Sequence, residues 1–189
     1  MTPGEGFFDA LAGGADPALV SEAADRAAQL LVRGARDSAD SAIADRLVHL
    51  ADTEGIEAIA EVWSGRHADS LAGCLWRLYL LRSWVYADPV GVSRQFEAGR
   101  RSAQVARVVA GVADPPGPEQ LKAMIDEVLR GIAGRDFADV LLRAAAFSRV
   151  VAAGRAALSG PTDAEVRRML ALSEQLEAAG HVEMEQELA

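Results

Sequence analysis

A single cysteine, Cys74, stands in the chain. That excludes an internal disulfide and any paired-cysteine zinc or redox motif. Lysine is equally scarce: Lys122 is the only one, and arginine supplies every other basic residue. The preference runs along the whole chain, so it reads as codon bias before it reads as function. β-Branched residues other than valine are few, while alanine, leucine, arginine and glutamate are abundant. Those are the strong helix formers. No segment alternates with period two, so no strand is expected.

The N-terminus has no basic region and carries Glu5 and Asp9, which argues against a secretory signal. The apolar run Leu71 to Ala87 contains Arg77 and Arg82. Each arginine would cost about 2.5–3.5 kcal/mol at a membrane centre, and a spanning helix needs about 20 mostly apolar residues. A membrane span is therefore rejected and a cytoplasmic location expected. Gly-rich phosphate loops, Ser-His-Asp arrangements and HExxH motifs are lacking as well. "LAGGAD" and "RGIAGRD" have no strand before them. No cofactor and no metal is expected, and an enzyme is the less favoured class.

What is present is a chain of 189 residues, 50% hydrophobic and 25% charged, with a net charge of −9. It is long enough to bury a core without staples. The charge is uneven. Residues 1–65 carry four arginines against twelve acids, and residues 66–107 carry seven arginines against three acids. Residues 108–160 balance, and residues 161–189 have two arginines against seven acids.

Helix signals punctuate the sequence. Ala-Asp-Pro occurs at Ala15, Ala87 and Ala113. Aspartate caps helix starts, and proline suits the first helical position. Thr162 and Glu165 form a capping box. These marks predict a short helix holding Phe7, Phe8 and Leu11. Further helices are predicted over 17–36, 39–51, 53–64, 68–86, 89–111, 118–131, 136–158 and 162–179. The 89–111 helix has a candidate bend at Gly99. Gly65, Gly131 and Gly180 read as stops. The expected fold is a single all-α domain over 1–189, an antiparallel bundle of about seven to nine helices. Its N-terminal arm is 1–14, its acidic C-terminal tail 181–189, and its buried central helix lies near 68–86. The expected core includes Trp63, Leu75, Trp76, Leu78, Leu81, Val85, Leu141 and Val150. A faint internal echo places residues 59–87 on 125–153 at a shift of 66, so a duplication is one explanation.

Four groups of residues are candidates for function. The first is "LWRLYLLRSWVYADP", from Leu75 to Pro89. A helix apolar on every side belongs in a core, and arginine tolerates such a place when its head snorkels or finds a carboxylate. The competing reading is a pocket in which Arg77 or Arg82 meets an anionic ligand between Trp76, Tyr79 and Trp84. The second group is Arg94, Arg100, Arg101 and Arg107, which form either a solvated face or a nucleic-acid contact. Four arginines are a weak footprint in an acidic protein. The third is the histidines. His49 lies between Asp45 and Asp52 at one-turn spacing, and His181 lies between Glu177 and Glu185. Surface hydrogen bonding is the favoured reading of both over metal binding. His67 or Asp69 is a candidate cap. The fourth is Cys74, two turns into an apolar helix, where a buried inert thiol is favoured over a nucleophile.

The expected function is a non-catalytic helical interaction module, homodimeric, with a further protein partner possible in principle. The alternatives are an anion-binding helical domain using Arg77 and Arg82, and a nucleic-acid-associated protein.

Overall fold

Helices whose apolar residues recur every three or four positions bury one stripe and expose the rest. That pattern accounts for three of the helices in a computed structural model of the chain, which describes residues 17–38, 49, 60, 62–102, 117–134, 137–158, 160–185 and 188. Helix α1 (Pro17–Ser38) buries Ala24, Ala28 and Val32. Helix α3 (Pro89–Ser102) buries Val92 and Phe96. Helix α4 (Pro118–Gly134) buries Leu121, Ile125, Leu129 and Ile132. Helices α2 (Leu71–Ala87) and α5 (Phe137–Ala157) are apolar on nearly every side and buried along most of their length. Helix α6 (Asp163–Glu185) completes the set. The described residues are thus all-helical, with no strand among them, and no described helix is long and apolar enough to cross a membrane.

Several predicted boundaries differ, for local reasons. α2 begins at Leu71 rather than 68, because Ser70 is its cap: the Ser70 hydroxyl accepts from the Gly73 N–H at 3.1 Å. Neither His67 nor Asp69 takes that role. Asp88 caps α3 by accepting from the Gly91 N–H at 2.9 Å. The capping box of α6 forms as read: the Thr162 N–H donates to Glu165 at 2.7 Å, and the Glu165 N–H donates to the Thr162 hydroxyl at 3.3 Å. Gly131 lies inside α4 and Gly180 inside α6, so neither ends its helix. α6 continues to Glu185, so residues 181–185 of the expected C-terminal tail are helix, and Leu188 is buried. The helices expected around Phe7, at 39–51 and over most of 53–64 lie outside the described residues, as does the second half of 89–111.

Glycine and alanine at these positions serve close packing. α5 makes its most extensive contacts with α6 and then with α3. Against α6, the Ser173 hydroxyl donates to the Ala145 carbonyl at 2.9 Å, and Gly180 packs on Leu142 and the Ala138 carbonyl. Residue 145 therefore faces 173 and residue 138 faces 180, an antiparallel register. Against α3, Gly154 meets the Gln95 carbonyl and Gly99 meets the Val150 carbonyl, so a Cβ at either position would strike backbone. Gly99 is thus a contact point within a continuous helix over Pro89–Ser102. Phe96 and Phe147 stack beside it with centroids 5.4 Å apart. α2 carries larger side chains and packs less closely on α1, α4 and α6. It is deeply buried, but the tightest backbone contacts gather on α5.

One continuous cluster of buried side chains draws on all six helices. Trp63, Leu75, Leu78, Leu81, Val85, Leu141 and Val150 are in it as expected, while Trp76 is half-buried. Trp76 shares a helical face with Leu80, which is 40% exposed. The 66-residue echo extends to burial. Leu71, Ala72, Leu75, Leu78, Arg82 and Val85 are buried, and so are Phe137, Ala138, Leu141, Ala144, Ser148 and Val151 at the same shift. Arg33 anchors the end of α6 to α1. It donates to both carboxylate oxygens of buried Glu183, at 2.6 and 3.0 Å, and to the Leu188 carbonyl at 3.3 Å.

Candidate functional site

The two arginines of the aromatic helix do not converge. They lie five residues apart, about 140° around the helix, and each meets a different neighbour. Arg82 is buried and faces α4, where its Nε donates to Asp126 Oδ1 at 2.8 Å. Tyr86 donates its hydroxyl to the other Asp126 oxygen at 2.7 Å. The Tyr86 ring lies 4.1 Å from the Arg82 guanidinium and 5.5 Å from Lys122. Asp126 therefore neutralises a charge that burial would otherwise make costly. This accounts for Arg82 in an apolar helix.

Arg77 is half-buried and faces α6. Its Nε donates to Gln175 Oε1 at 2.7 Å, and a terminal nitrogen donates to the Gly73 carbonyl at 2.8 Å. It has no ion pair among the described residues, and burial lowers its pKa from the usual arginine value. The three aromatic residues expected around an anion are also dispersed. Tyr79 is buried and stacks on Trp63 at 6.3 Å, and burial raises its phenol pKa. Trp63 donates its indole N–H to the Ala24 carbonyl at 3.1 Å, so that pair ties α2 to α1. Trp76 and Trp84 lie on the outer side, half-buried.

Trp84 has a neighbour that sequence reasoning missed. The Arg155 guanidinium, from the end of α5, lies 4.5 Å from the Trp84 ring and donates through Nε to Gln95 at 2.8 Å. Burial lowers the Arg155 pKa, Glu165 opposes that shift, and Arg168 adds to it. These residues come from four helices, and nothing in their sequence spacing announces the meeting.

Cys74 is a buried free thiol. Burial pushes its thiol up to about 12, with Arg77 opposing only in part. Its sulfur points to the Ala68 carbonyl at 3.4 Å. Of the other arginine group, Arg101 pairs with Glu97 at 2.8 Å, Arg94 is exposed and Arg100 is half-buried. Arg107 lies outside the described residues. His49, His67 and His181 are exposed, and Glu177 is engaged by Arg149. Asp45 and Asp52 lie outside the described residues. No cluster of three metal-ligating side chains exists among the described residues.

A shallow depression of about 490 Å³ follows α1, with Ser21, Glu22, Asp25 and Arg26 in its lining. Arg66 donates to the Ser21 hydroxyl beside it. Asp25 Oδ1 and Arg66 Nε are buried with no hydrogen-bond partner among the described residues. The described lining comes from α1 alone, so it presents no converging set of groups. The chain matches no protein-family model, no curated protein and no solved structure.

Proposed function

We propose that the chain is a non-catalytic, cytoplasmic helical interaction module that self-associates as a homodimer. The observation that carries this reading is the exposure of two leucines on one face of α1. Leu19 and Leu30 are 61% and 70% exposed on α1, eleven residues apart, three turns along one face. Between them on that face lie Glu22 and Arg26, which pair with each other, so a second copy would meet a mixed apolar and charged surface. The state of the polar groups points the same way. The Arg82 charge is taken up by Asp126, and the Cys74 thiol is held protonated.

Sedimentation of the full chain over a concentration series tests the reading. A monomer–dimer equilibrium that Leu19→Glu with Leu30→Glu shifts to monomer is the expected outcome. A strict monomer at the highest concentration refutes self-association.

A further inference from the structure

We draw no further inference here: the strongest candidate, the exposed face of α2 around Leu80, between Arg77 and Trp84, carries nothing, because Arg77 and the Arg155 guanidinium over Trp84 already donate to groups within the chain and nothing in the structure shows what covers that face.

Discussion

Replacing Asp126 by alanine isolates the physical reason for an arginine in the most apolar helix. The Arg82 side chain is 6% exposed and that of Asp126 14%, so the pair is nearly out of water. Removing one member leaves a buried guanidinium without its counter-charge, which costs about 3–5 kcal/mol when the pair is fully buried. The remaining exposure of Asp126 and the Tyr86 ring beside the cation favour the lower end, about 3 kcal/mol. For a chain of this size that lowers Tm by about 6–12 °C. Urea denaturation followed by far-ultraviolet circular dichroism measures the free energy. The double variant Arg82→Met with Asp126→Leu removes both charges and is expected to recover most of the loss, because apolar groups of similar volume replace a buried pair at little cost. An Asp126→Ala cost under about 0.5 kcal/mol, the size of a surface pair, would refute the reasoning.

Two further predictions concern packing and titration. Gly154→Ala drives a Cβ into the Gln95 carbonyl and is expected to destabilise by about 1–3 kcal/mol; Gly65→Ala, with open space around it, stays within about 0.5 kcal/mol in the same denaturation assay. Cys74 binds its proton more tightly folded than unfolded, since its pKa rises from 9.0 to about 12. Its contribution to stability is therefore fully present below pH 9 and is lost as pH rises toward about 12. Tyr79 shifts in the same direction. Stability measured across that window falls, with a shallower slope in Cys74→Ala. Iodoacetamide labels the native thiol far more slowly than the unfolded one.

Local signals were legible in the sequence, and contacts between distant residues were not. The Asp88–Pro89 start and the Thr162–Glu165 box depend on neighbours within one turn, so their chemistry is visible in a short string. Gly131 and Gly180 carry the same letter as a helix stop. Gly180 serves instead to bring α6 onto the Ala138 turn of α5, and that requires knowing the facing helix. Arg82 showed that it needed a carboxylate, but Asp126 lies 44 residues on. Trp76 belonged to a helix apolar on every side, so hydrophobicity alone did not reveal which side faces out. Arg155 left no sign that it would lie over Trp84, because α5 and α2 reach that point from different parts of the chain.

The central claim is that this helical chain works by contact, beginning with itself. Sedimentation velocity of the unmodified chain over a wide concentration range tests it most directly. The account predicts a reversible monomer–dimer equilibrium that shifts to monomer when Leu19 and Leu30 are both made glutamate. A single monomeric species at every concentration, unchanged by those substitutions, would contradict it.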